Sequence, residues 1–466
     1  MKRKLRLMNR DAKNINIAYI GGGSKGWAWS LMKDLALERE ISGTVRLYDI
    51  DFEAALINQR IGNMLTARED VPGKWQYKVV GSLKEALTGS DFVLTSILPG
   101  TFDEMESDVH TPEKYGIYQS VGDSVGPGGL IRSLRTIPMF VEIAKAIREY
   151  APEAWVLNYT NPMSVCVRTL YQVFPKIKAF GCCHEVFGTQ KLLAIALDKI
   201  MGIKGVQRQE IRTNVLGINH FTWIDRASYR DIDLFPVYRE FVQRYHETGF
   251  TDEKADKNWM NDHFSSADRV KMDLFRRYGL MAAAGDRHLA EFVPGSRYLK
   301  DPETVKKWKF SLTSVAWRKS DLQEKLKKSE LLASGKEQLK VEQSGEECTL
   351  MMKALLGLGD MISNVNVPNV GQISNLPMGA VVETNTLLCR DSAAPVFAGA
   401  LPIDIQHIVM RHVTNQEGIL EACLKNDRRL AFEVFMNDPQ MTLDPDAGYE
   451  LFSTMIERTK KYCFIK

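Results

Sequence analysis

The chain has 466 residues, several times the ~100–150 of a usual domain, so two packed lobes are expected in place of one core. Lys plus Arg number 61 against 58 Asp plus Glu, a formal charge of +3, with 44% hydrophobic and 26% charged residues. That balance excludes a disordered chain, a collagen and a protein that coats nucleic acid. Seven cysteines at irregular spacing make no disulfide scaffold, and the odd count leaves a free thiol, which suits a reducing, cytoplasmic setting.

The opening, MKRKLRLMNRDAKNINIAYI, is basic but lacks an apolar stretch of signal-peptide length. Nowhere do about 18 apolar residues run unbroken, so no membrane span is expected. A β-branched run at Ile15 to Ile20 is followed by GGGSKG, the helix-like WAWSLMKDLALE and a second strand, TVRLYDID. Strand, glycine turn, helix and strand in that order open a dinucleotide-binding sheet, and DFVLTSILPG and APEAWVLNYTNP continue it. The predicted fold class is α/β: a Rossmann-like, doubly wound parallel sheet over residues 12–190, then an α+β domain over 191–466. Open α/β sheets bind ligands at the carboxyl ends of their strands, which brings Ser96, Asn158 and Asn161 toward a cofactor cleft. From about residue 211 the texture changes to a strand, IRTNVLGINHF, then charged helical patterns to about residue 360. The Lys/Glu-rich run from Lys306 to Glu347 reads as a solvated helix face, not a nucleic-acid patch.

Gly21, Gly23 and Gly26 fill the G-x-G-x-x-G spacing between strand and helix. The first permits the tight turn, the second lets backbone approach a pyrophosphate, and the third brings helix against strand. Ser24 lies inside the same loop, and Lys25 reads as exposed. Asp49, closing LYDID, stands near the ~20-residue offset of the acid that bonds ribose hydroxyls, with Asp51 as fallback; this favours NAD. A glycine turn without a ligand is the plain alternative.

A second constellation joins GCCHEVFG, with Cys183 and His184, to GINH, with Asn219 and His220. Thiolate and imidazole together can hold a divalent ion: zinc by softness, or manganese, cobalt, nickel or ferrous iron if substrate oxygens complete the shell. A buried thiol pair beside a structural histidine is the commoner explanation of such a triplet. In YGLMAAAGDRHLAEF, Asp286, Arg287, His288 and Glu291 crowd together, as an active-site rim or as a helical Arg287–Glu291 ion pair. His110, His246, His263, His407 and His412 show no pattern.

Taken together, GGGSKG, LYDID, SVGPGGLIRSLRTIP, NYTNPM, GCCHEVFG, GINHF, GDRHLAEF and NVGQISNLPMGAVVE resemble the NAD- and manganese-dependent family 4 glycoside hydrolases. These blocks run in order from about residue 15 to about residue 385. The family's dinucleotide domain is similar to that of lactate and malate dehydrogenases, which share the Asn-Pro of NYTNP. CHEV at Cys183 to Val186 is similar to the α-galacturonidase subgroup, with α-galactosidase, α-glucosidase and α-glucuronidase as alternatives. The resemblance implies a redox-neutral hydrolysis by oxidation, elimination, addition and reduction, an exception to the two-carboxylate rule of glycosidases.

It implies Cys183 and His220 as metal ligands, Asn161 (with Asn219 nearby) on the sugar, and Asp286 as the base at carbon 2. His184 stands where phospho-sugar members carry a proposed acid, with Glu185 as the other possibility. A bidentate arginine is the chemical expectation for a uronate carboxylate, with Arg287 and Arg297 as candidates. The expected partner is a small sugar, with a homodimer or homotetramer as the assembly. An NAD-dependent 2-hydroxy acid dehydrogenase would leave Cys183 without a role, and a redox-sensing NAD-binding regulator would leave several of the blocks unexplained.

Overall fold

A computed structural model describes residues 12–251, 266–463 and 465; most of the basic opening arm and His263 lie outside them. Six strands come first: β1 (Ala12–Ile20), β2 (Ile41–Tyr48), β3 (Trp75–Val79), β4 (Phe92–Thr95), β5 (Trp155–Asn158) and β6 (Lys178–Gly181). They pair in parallel in the order β3-β2-β1-β4-β5-β6, the doubly wound arrangement. β4 and β5 are buried at every position, which is why they read as continuous apolar runs without alternation. The order reverses between β1 and β4, so the crevice opens where the glycine loop after β1 meets the loop after β4.

The later part of the chain contributes in two ways. β7 (Ile211–Ile218), β8 (Phe221–Tyr229), β9 (Ile232–Asp233) and β10 (Met281–Ala282) form a small antiparallel sheet. β11 (Met361–Pro368), β12 (Val381–Cys389) and β13 (Ser392–Pro395) instead extend the first sheet, antiparallel beyond β6, to nine strands. Helical patterns are expected after IRTNVLGINHF, from residue 222 on, but β8 stands there. FTWIDRASY pairs in hairpin register with β7 across Ile218 and Phe221, and cross-strand packing outweighs its short polar interruptions. The Lys306–Glu347 run is a solvated face along its helix Val315–Ala333, which buries only Val315, Ser329 and Leu332. Among the described residues no helix is long and apolar enough to cross a membrane.

Candidate active site

The glycine loop is pinned from three sides. Gly21 and Gly22 donate to the Tyr48 carbonyl, and Gly23 donates to Asp49 Oδ2 at 2.8 Å. Asn58, fully buried on the helix Phe52–Thr66, donates to the carbonyls of Gly22 and Ser24. Gly21 has φ +97, and a Cβ there would lie 2.0 Å from the Ser96 carbonyl oxygen, so the loop presses directly on the end of β4. Gly26 departs from the expected reason. A Cβ there meets nothing within 4 Å; what demands glycine is φ +155 at the N-cap of the helix Trp27–Leu37.

That helix start, with no acidic residue in its first turn, leaves a cradle of N–H groups fit for a pyrophosphate. Ser96 bonds the Tyr19 hydroxyl. The Asn158 side chain is spent on Thr95 and Thr160, which shapes the turn that carries Asn161. Gly21→Ala is expected to abolish measurable NAD⁺ binding by titration and lower Tm, because the methyl collides with Ser96; unchanged NAD⁺ affinity would contradict this geometry.

A second centre forms at the β7–β8 hairpin. His220 sits in its two-residue turn at φ +64, an unusual conformation for a histidine, which the surrounding packing enforces. Its ring stacks on His288 at 3.7 Å between centroids, and Nδ1 lies 3.1 Å from Ser124 Oγ. Asp123, His220 and His288 each offer a ligand atom, all within 4.8 Å of one another. Burial, with His288 beside it, lowers His220 to about 3, so its imidazole is neutral and can ligate. Burial pushes Asp123 up, yet His220, His288, Arg132 and Ser124 outweigh it and hold this carboxyl below the usual range. Asn161 Nδ2 donates to Asp123 Oδ2 at 3.0 Å, tying the turn after β5 to this group.

Cys183 follows β6, and its thiol accepts from Asn219, the neighbour of His220. Burial, then Glu383 and Glu185, push the thiol well above its usual range; a bound divalent cation would invert that and favour thiolate. Glu383, on β12, accepts from Asn219 and Asn364, and burial lifts it to about 7. Glu185 accepts from the Gly285 N–H at 2.7 Å and stands 3.6 Å from His288 Nε2. The Oδ1 atoms of Asn161 and Asn219 are buried without hydrogen-bond partners. Buried acceptors cost free energy until a donor or cation reaches them, so this donor set fits a divalent ion and a polyhydroxylated ligand.

The remaining expected residues divide. Asp286 is fully buried at the start of the helix Asp286–Glu291, with Oδ1 accepting from the Lys271 N–H at 3.0 Å and Oδ2 unpartnered. Burial and then Asp268 raise it to about 7. His184 turns to Glu346, 3.0 Å away, and stacks on Trp27; that carboxylate raises it to about 8. Arg287 donates to the carbonyls of Ser311 and Ser120 and to Thr313 Oγ1, and Arg297 donates to the Tyr278 hydroxyl. No Arg287–Glu291 pair within 4 Å forms among the described residues. Glu291 Oε1 instead accepts from the Val121 and Gly122 N–H groups, stitching the Asp123 loop to the helix that carries His288.

Burial is the chief cause that lifts Glu291 from an ordinary 4.5 to about 8, helped by Asp123 and opposed by the two N–H groups and Arg287. The folded chain therefore keeps a proton that the unfolded chain releases between those values, so this group's contribution to stability is lost as pH rises across that window. Glu291→Gln removes the titration. Its Tm is expected to fall less than the parent's between about pH 5 and about pH 8. Equal slopes in a melting series would refute it.

Sequence reasoning did not single out Asn58, Asp123, Arg132 or Glu383. The last three lie in or beside quoted blocks, but nothing in one dimension says that a loop at residue 123, a hairpin at 220 and a helix at 288 meet.

A family model described as Family 4 glycosyl hydrolase matches residues 16–199, and one for the family's C-terminal domain matches residues 215–441. The chain belongs to the family 4 glycosyl hydrolases. It is 62% identical over 458 residues to the alpha-galacturonidase of Thermoanaerobacterium saccharolyticum (strain DSM 8691 / JW/SL-YS485), covering 98% of each chain. A crystal structure of lplD from Bacillus subtilis superposes with a TM-score of 0.90 at 54% identity, covering 95% of this chain and 100% of that one. A 6-phospho-alpha-glucosidase from gut microorganisms, in complex with NAD and Mn2+, shares the fold (TM-score 0.79, 20% identity, 97% of this chain and 99% of that one).

Proposed function

We propose that this protein hydrolyses α-galacturonides with NAD and a divalent ion, manganese foremost, and cobalt, nickel or ferrous iron as substitutes. The observation that carries the reading is the Asn161 turn: it follows β5 at the carboxyl end of the parallel sheet and hydrogen-bonds Asp123 of the group around His220. The 62% identity to an alpha-galacturonidase over nearly the whole chain supports the substrate, and the NAD and Mn2+ of the gut phospho-glucosidase support the cofactors.

When bound, NAD supplies a hydride acceptor and donor for carbon 3, and the metal ion supplies a Lewis acid for the sugar oxygens at carbons 2 and 3. Gly21, Gly23, Ser24, Gly26 and Asp49 shape the dinucleotide site, with Ser96 and Asn158 bracing its far wall. Cys183 and His220 hold the ion, with Asp123 and His288 near enough to share it. Asn161 orients the carbon-3 hydroxyl and Asn219 faces the same sugar. Asp286, whose Oδ2 has no protein partner, takes the carbon-2 proton. His184, held by Glu346 and Trp27, protonates the leaving oxygen. Arg287 holds the Asp123 loop in place.

In this reading residues 12–190 form the dinucleotide domain and 191–466 the domain for metal, sugar and assembly. The protein is cytoplasmic and a homodimer or homotetramer.

The test is p-nitrophenol release from the α-galacturonide and the α-galactoside with NAD⁺, Mn²⁺ and reductant, each omitted in turn. Galacturonide cleavage needing all three, without NADH accumulating, is expected. Cleavage of the galactoside alone overturns the substrate, and NADH build-up from a hydroxy acid without phenol release overturns the hydrolase.

A further inference from the structure

The helix Gly126–Tyr150 starts three residues after Asp123 and buries two arginines one turn apart, Arg132 at 6% exposure and Arg135 at 0%. A guanidinium carries five N–H donors in a planar fork, and burying it leaves each of them to be satisfied. Arg135 meets that demand within the protein: Nε donates to the Pro99 carbonyl, and both terminal nitrogens engage the Asp108 carboxylate. Arg132 does not. Its Nε donates to the Asn161 carbonyl at 3.2 Å, and among the described residues its two terminal nitrogens have no hydrogen-bond partner.

The charges around it are also unbalanced. Asp108 is taken by Arg135, and Asp123 already accepts from Asn161 and Ser124 on the side facing His220. A second guanidinium, Arg318, interacts electrostatically with Asp123 and Arg132, and with Asp321 as well. Arg132 thus lies near Asp123 without a hydrogen bond to it, and its terminal nitrogens keep positive charge that a ligand carboxylate would neutralise.

We propose that Arg132 is the specificity residue of the sugar site, its free fork taking the substrate's carboxylate in a bidentate pair. The proposal rests on the galacturonide reading and deepens it. A carboxylate presents two coplanar oxygens that match the guanidinium fork, whereas the hydroxymethyl group of a galactoside offers one neutral oxygen. The carbonyl that receives Arg132 Nε belongs to Asn161, so the anion site and the hydroxyl site are set by the same turn.

The test uses the full chain loaded with NAD⁺ and Mn²⁺, titrated calorimetrically with D-galacturonate and with D-galactose, for the parent, Arg132→Met and Arg132→Lys. The parent is expected to bind galacturonate more tightly than galactose. Arg132→Met should weaken galacturonate roughly 100-fold and leave galactose within about 2-fold, and Arg132→Lys should fall between, keeping charge without the fork. Should Arg132→Met not fold, the same selective loss in Arg132→Lys carries the test. Equal loss for both sugars would make Arg132 a mere support of Asn161, and no loss for galacturonate would put the carboxylate elsewhere. Loss of NAD⁺ binding would assign the fork to the cofactor's phosphates. Each of these overturns the proposal. A parent that does not prefer galacturonate sinks the galacturonide reading itself, whatever the variants do.

Discussion

Asp286→Asn is expected to slow galacturonide hydrolysis about 1,000-fold and to stop solvent deuterium entering carbon 2 of the sugar. The asparagine is nearly isosteric, and its Oδ1 can still accept from the Lys271 N–H, so the helix start at residue 286 keeps its anchor. What is lost is the second oxygen, buried without a partner at the head of the helix that carries His288. A carboxylate placed this way is costly to bury, and a reactive proton is what would repay that cost. Release of p-nitrophenol and mass analysis of recovered sugar in deuterated water read the two effects separately. Full exchange with lost hydrolysis would transfer the base to another group and leave Asp286 a structural acid.

His220→Asn is expected to weaken Mn²⁺ binding at least about 100-fold, read from the electron paramagnetic resonance of free ion, with hydrolysis lost in proportion. Asparagine is chosen because it tolerates the left-handed φ of +64 that the hairpin imposes, so Tm is expected to stay close to the parent's. Cys183→Ser and Asp123→Asn then divide the ligand set. A large loss in both variants means that thiolate and carboxylate each hold the ion; a loss only in Asp123→Asn assigns it to the cluster of Asp123, His220 and His288. Unchanged Mn²⁺ affinity in His220→Asn would remove the metal from this centre.

Some of the site was legible in the chain because its geometry is local. The glycine loop needs only the residues between Ile20 and Trp27, and Asp49 reaches Gly23 across one βαβ unit, so spacing alone marks both. The reason given for Gly26 failed for a reason spacing does not carry: whether a glycine is kept for contact or for φ depends on what lies opposite, and opposite Gly26 there is open space. Arg287 was marked by its chemistry as a carboxylate binder, yet its donors reach the carbonyls of Ser311 and of Ser120, the latter 167 residues away along the chain. Arg132 drew no notice beside Arg135, since both lie in LIRSLRTIP. Only the position of Asp108 separates them, by satisfying one guanidinium and not the other.

The sequence by itself determined the class of the dinucleotide half, a doubly wound parallel α/β sheet, because buried parallel strands and glycine turns are written in contiguous residues whose periodicity follows from backbone geometry. It also named the chemical types at the centre: thiol, imidazole, carboxylate and amide. Tertiary structure decided which of them meet. Asp123 comes from a loop before a long helix, His220 from a strained hairpin, His288 from a short helix and Glu383 from a strand that leaves the second half to join the first sheet. Contacts between residues far apart in the chain are set by packing of whole elements, and hydrophobic burial, which drives that packing, carries no record in the local spacing of polar residues.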